Sequence, residues 1–156
     1  MVLKKGDFDM AKGEADALDV ILGVAAEEAV QAGYTQITTA HLLIALSRFS
    51  EGQDSNHSVL FDELRGEFAA LGINPRSFRR RLRGILGRRE VRPGGDRIGR
   101  SARCKEVFVA AERAASEARE TLTPVWLLRS VFMSLADVAP GAAVEGSEAD
   151  DIPAEL

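Results

Sequence analysis

The chain carries one helical unit twice. With residues 22–46 laid on residues 107–131 without a gap, Val24, Ala25, Ala26, Glu27 and Ala29 meet Val109, Ala110, Ala111, Glu112 and Ala114. In the same register Ile37-Thr38 meets Leu122-Thr123, and Leu42-Leu43 meets Leu127-Leu128. A repeat at constant spacing constrains the fold more than local propensity does, because each copy is a supersecondary unit that needs a neighbour to bury its apolar side. The expected fold class is all-α: a pseudo-twofold domain of duplicated helical hairpins.

Apolar spacing and capping residues place the helices. Leu18, Ile21, Leu22, Ala25 and Ala29 recur at helical spacing and Gly33 supplies a left-handed stop, which predicts a first helix over about 15–32. Thr38 or Thr39 can cap a second helix with Leu42, Leu43, Ala45 and Leu46 inside, ending near Ser50 and the polar stretch 51–57. Val59, Leu60, Leu64, Phe68 and Leu71 mark a third helix closed by Gly72. Asn74-Pro75 then opens a fourth, with Phe78, Leu82, Ile85 and Leu86 inside. Residues 88–100 hold Pro93, Gly94-Gly95 and many charges, and are expected to be an exposed connector. Ser101 restarts the pattern with a helix over about 101–120, and Thr123-Pro124 opens the last, with Trp126, Leu127, Leu128, Val131 and Phe132 on its apolar face.

At 156 residues the chain suits one domain. With 46% hydrophobic but only 6% aromatic residues, its core should be packed from Ala and Leu. No stretch approaches the about 18 consecutive apolar residues of a membrane span, and no apolar run of signal-peptide length follows Lys4-Lys5. The expected location is the cytoplasm, away from membranes. The net charge of -4 is segregated. Arginines crowd the stretch Arg76 to Arg103, opposed there only by Glu90 and Asp96. From Asp137 onward every charge is acidic and the spacers are mostly Ala, Gly, Ser and Pro, which predicts a flexible tail or linker.

Residues 25–46, AAEEAVQAGYTQITTAHLLIAL, resemble the repeat of the Clp amino-terminal domain of Clp-family AAA+ unfoldases: an Ala-rich helix, a Gly-containing turn, Ile-Gly-Thr-Glu-His and a Leu-rich helix. Residues 58–86, SVLFDELRGEFAALGINPRSFRRRLRGIL, resemble the helix pair that joins the two copies. The resemblance spans about residues 15–133, with repeats at about 15–50 and 101–133, connecting helices at 58–87 and the loop 88–100. Residues 1–14 are then an N-terminal extension and 134–156 an acidic tail or linker. It implies a non-catalytic module that docks protein substrates or adaptor proteins for a Clp ATPase or protease system. No stretch matches the Gly-x-x-x-x-Gly-Lys-Ser/Thr phosphate loop, so the motor is expected elsewhere, in a longer chain or a partner.

The family's recognition positions fall on Thr39, Ala40, Pro124 and Val125, with Arg100 and Arg103 expected beside the second copy's helix start. The glutamates that contact phosphoarginine in some members are Ala40 and Val125 here, which puts that specificity in doubt. Aspartate at Ala40 and Val125 is expected to weaken capture without unfolding the domain. His41 is expected to pack and hydrogen-bond within the fold, and Trp126 replaces it in the second copy. His57 has no partner in reach by sequence, so no metal or cofactor is expected. Glu27, Glu28 and Glu112 are expected on exposed helix faces rather than in a catalytic pair. Cys104 is expected in the core, without a nucleophile motif around it. The alternative is nucleic-acid or polyanion binding through Arg76 to Arg103, against which stand the missing stacking aromatics and the negative net charge.

Overall fold

The computed structural model describes residues 5–52, 57–89 and 98–136, with side chains from residue 16 to residue 134 within those ranges. The expected acidic tail from Asp137, residues 90–97 of the connector and 53–56 of the polar stretch lie outside the described residues. In chain order the elements are α1 (Lys5–Gln31), β1 (Gln36–Ile37), α2 (Thr39–Ser50), α3 (Ser58–Ala70), α4 (Pro75–Leu86), β2 (Gly99–Arg100), α5 (Ala102–Glu117) and α6 (Pro124–Ala136). The two copies form the hairpins α1–α2 and α5–α6, and α3–α4 join them.

Buried leucines decide which helix lies inside. From sequence, α2 is expected to bury only Leu42, Leu43, Ala45 and Leu46, but every residue from Thr39 to Ser50 except Arg48 is buried. A helix buried all round must be wrapped by others, and α2 packs against α1, α3, α4, α5 and α6. Its hydroxyls are satisfied locally: Ser47 Oγ donates to Ile44 O and Ser50 Oγ to Ser47 O, both at 2.7 Å. Ile21, Leu64, Phe68, Leu82, Val107, Leu127 and Leu128 close around this rod, each at most 2% exposed. Each such side chain contributes about 1.5–3 kcal/mol on burial.

Helix ends follow the capping residues. Thr38 caps α2, Asn74 caps α4 by accepting from Ser77 N at 3.1 Å with Pro75 next, and Ser101 caps α5 by accepting from Cys104 N at 3.1 Å. The first helix differs from expectation, beginning at Lys5 rather than near residue 15. The segment Met10 to Leu18 holds three alanines with Met10, Lys12, Glu14 and Leu18, good helix formers that a search for apolar periodicity does not weigh.

The two copies stop their first helices differently. Gly33 turns left-handed (φ 80°) as Tyr34 N donates back to Ala29 O at 2.9 Å. Copy two makes the same closure one residue later in register, with Glu120 N donating to Ala115 O at 2.8 Å and Arg119 held at φ 58°. A side chain there costs about 1–2 kcal/mol that glycine avoids, less the extra freedom glycine gains when unfolded. Arg119→Gly should therefore stabilise the domain by about 0.5–1 kcal/mol, raising the thermal midpoint by about 1–4 °C. A midpoint that falls would show that the arginine side chain, not the turn, governs this corner.

A short parallel bridge, absent from the expectation of pure helix, ties the copies together. Gln36 pairs with Gly99 and Ile37 with Arg100, and Ser101 N donates to Ile37 O at 2.9 Å. The last residues of the expected loop 88–100 are thus a strand that carries α5 to the start of α2.

Candidate functional site

The first helix start is a sealed cap. Nδ1 of His41 accepts from Thr38 N at 3.1 Å and lies 2.9 Å from Thr38 Oγ1, while His41 N donates to that hydroxyl oxygen at 3.4 Å. An accepting Nδ1 puts the neutral ring's proton on Nε2. The ring is 1% exposed and meets Tyr34 edge-on at 4.7 Å. His41 is therefore a capping and packing residue. Beside it Thr39 and Ala40 are only 3% and 4% exposed, which leaves their side chains little to offer a partner.

The second start is more open. Pro124 is buried, but Val125 and Trp126 are only partly covered. Trp126, in the place of His41, is held by polar groups: Nε1 donates to Glu120 Oε2 at 2.8 Å, and the Arg129 guanidinium lies over the ring at 5.2 Å. Arg129 in turn forks onto Glu67 of α3, Nε to Oε1 at 2.9 Å and Nη2 to Oε2 at 3.1 Å. Hydrogen bonding to Glu67 raises the guanidinium pKa further, burial lowering it by less. The chain Glu67–Arg129–Trp126–Glu120 was hidden from sequence because Glu67 and Arg129 are far apart in the chain; the one signal was a tryptophan where the other copy has histidine.

The remaining expected residues lie elsewhere. Arg100 is fastened by backbone pairing to Ile37, at the entry to α2 of the first copy, and its guanidinium sits 4.7 Å from the Phe108 ring centre. Arg103 is partly exposed on the first turn of α5. Of the six expected contact residues, Arg100, Arg103 and Val125 keep part of their side chains at the surface.

Two expectations, about Glu28 and about His57, are corrected. Glu27 and Glu112 are exposed, but Glu28 is 9% exposed. Its carboxylate is gripped from α2 by Arg48 Nη1 at 3.2 Å and from α4 by Arg83, whose Nε lies 3.2 Å away and whose Nη2 also donates to it. Burial alone would push the Glu28 carboxyl up, but the hydrogen bond and charge of Arg83, then those of Arg48, together outweigh it and hold the group below its ordinary range. His57, expected without a partner, has Nε2 3.6 Å from Asp16 Oδ2 and packs beside Phe49 and Phe61, because the residue before α3 comes up against α1 and the end of α2.

The arginine run is partly consumed inside the fold. Arg79 Nη2 meets Glu51 at 2.9 Å, Arg76 Nε meets it at 3.7 Å, and Arg83 meets Glu28. Among the described residues no group of His, Cys, Asp or Glu could hold a metal ion, and no helix is long and apolar enough to cross a membrane. Cys104 is fully buried.

The family model for the Clp repeat N-terminal domain matches residues 15–133, the span from the body of α1 through nearly all of α6. The chain belongs to that family. A search of curated proteins finds no match. Clp repeat N-terminal domains are non-catalytic modules that generally bind substrates or adaptors of Clp ATPases. The Clp repeats here are the hairpins α1–α2 and α5–α6, and the sealed and open helix starts are the same position in the two repeats.

Proposed function

We propose that this Clp repeat domain docks protein substrates or adaptor proteins for a Clp-type unfoldase or protease, and that the open second helix start contributes the contact surface. The family membership over residues 15–133 carries this reading. On the surface side, Val125 and Trp126 offer apolar contact at the second helix start, whereas Arg100 and Arg103 keep part of their side chains exposed nearer the first, and Thr39, Ala40 and Pro124 are buried. A rigid aromatic held in place loses little freedom on binding. Nucleic-acid binding is disfavoured by the pairing of Arg76, Arg79 and Arg83 with internal carboxylates.

The test is a titration of the purified chain with a permanently unfolded model protein and, separately, with a DNA duplex, at low and moderate salt. Binding of the unfolded protein should persist at moderate salt. Val125→Asp should weaken it about tenfold, or ~1.4 kcal/mol, with little change in the thermal midpoint. Preference for the duplex with a steep logarithmic loss on adding salt would overturn the reading.

A further inference from the structure

Docking at the second helix start leaves the solvent face of α4 unused. Residues 75–89 carry seven arginines, Arg76, Arg79, Arg80, Arg81, Arg83, Arg88 and Arg89, and no carboxylate. Inside the fold Glu51 serves both Arg76 and Arg79, and Glu28 serves Arg83 while also holding Arg48. Arg80 and Arg88 are exposed and meet no carboxylate among the described residues. Arg76, Arg80 and Arg83 follow one another at i, i+4 and i+7 on one helix face. That face keeps surplus positive charge.

The complementary charge lies on the same chain. Residues 137–156 hold six carboxylates, Asp137, Glu145, Glu148, Asp150, Asp151 and Glu155, and no lysine or arginine. They follow α6, which lies beside α4: the Phe132 and Phe78 ring centres are 6.3 Å apart, and Phe78 sits between Arg76 and Arg79 in sequence. From Phe132, α6 runs about one more turn to its end at Ala136. Phe78 is on the buried face of α4, opposite Arg76, Arg80 and Arg83, so the acidic segment starts on the far side of α4 and must pass around the helix to meet its arginines.

We propose that the acidic segment 137–156 docks on the arginine face of α4 in its own chain, along Arg76, Arg80, Arg83 and Arg88. Reach is not limiting. The 12 residues of α4 cover about 18 Å, and a 20-residue segment spans roughly 25 Å as a random coil and up to about 65 Å extended. Each exposed ion pair is weak, but a tether of this length keeps the segment at a local concentration on the order of millimolar. Bound there, it keeps acidic partner segments and polyanions off α4 until they displace it.

Paramagnetic broadening in the full chain tests this. A nitroxide is attached through Ser147→Cys; the native Cys104 is fully buried and does not compete for the label. Amides from Arg76 to Arg88 should lose intensity at low salt and recover at about 1 M salt, where the screening length is ~3 Å. Replacing the six carboxylates by Asn and Gln should abolish the loss, and Arg80→Glu with Arg88→Glu, both at exposed sites, should reduce it. The proposal is overturned by no broadening, by broadening centred on another face, or by broadening indifferent to salt and to tail charge. It is equally overturned if mixing labelled with isotope-enriched unlabelled chains reproduces the effect, because the docking would then be between molecules.

Discussion

Ala40→Asp is expected to destabilise the domain by about 3–5 kcal/mol, the cost of an uncompensated buried charge. Ala40 is 4% exposed on the first turn of the helix that every other helix touches. The favourable helix dipole returns only about 0.3–1 kcal/mol. Against a typical total of about 5–15 kcal/mol, the loss should lower the thermal midpoint by about 6–20 °C. Family precedent alone suggests the opposite, a change that weakens binding and leaves the fold intact. Thermal unfolding of Ala40→Asp beside Val125→Asp separates the two. A native midpoint for Ala40→Asp would mean that residue 40 faces solvent and that the first helix start is a contact surface after all.

Glu28→Gln should cost about 2 kcal/mol at neutral pH, by leaving Arg48 and Arg83 facing a neutral amide. The full ~3–5 kcal/mol of a broken buried pair does not apply, because the arginine side chains are 38% and 48% exposed and can rehydrate. The cost should also depend on pH. The carboxyl is held below its ordinary value of 4.5, so the unfolded chain takes up this proton first as pH falls. The stabilisation is fully present above about 4.5 and drains away as pH drops through the folded value. The gap between wild type and Glu28→Gln, measured by urea unfolding, should therefore be widest near pH 7 and close in acid. A gap that is constant with pH would mean that the charge of Glu28 contributes nothing.

Helix ends were legible wherever local chemistry does the capping: Asn74 and Ser101 accept from the helix with their side chains, and Gly72 takes the left-handed turn that closes α3. The repeat itself was legible because apolar spacing survives in both copies. What escaped notice depends on contacts between distant residues. Glu28 reads as a surface glutamate on an Ala-rich helix until α4 brings Arg83 against it. Ala40 reads as a recognition position until α2 is seen to be enclosed on all sides. The candidate surface was half legible: Val125 stays partly open, but the Trp126 platform needed Glu67 from the connecting helices to be recognised.

The bridge and the Gly33 turn fix both ends of one span to the same strip of chain. Arg89 N donates to Ala32 O at 2.7 Å, its guanidinium covers Tyr34, and the Arg89 backbone crosses so close to Gly33 that no Cβ fits there. Ten residues after Arg89, Gly99 pairs with Gln36. Arg89 and Gly99, the anchors on either side of residues 90–97, thus both sit against the strip 32–37. Closing a loop between fixed ends costs only about 0.6 kcal/mol per doubling. The domain can accept inserted sequence at this point, even a whole foreign peptide, without either repeat having to move.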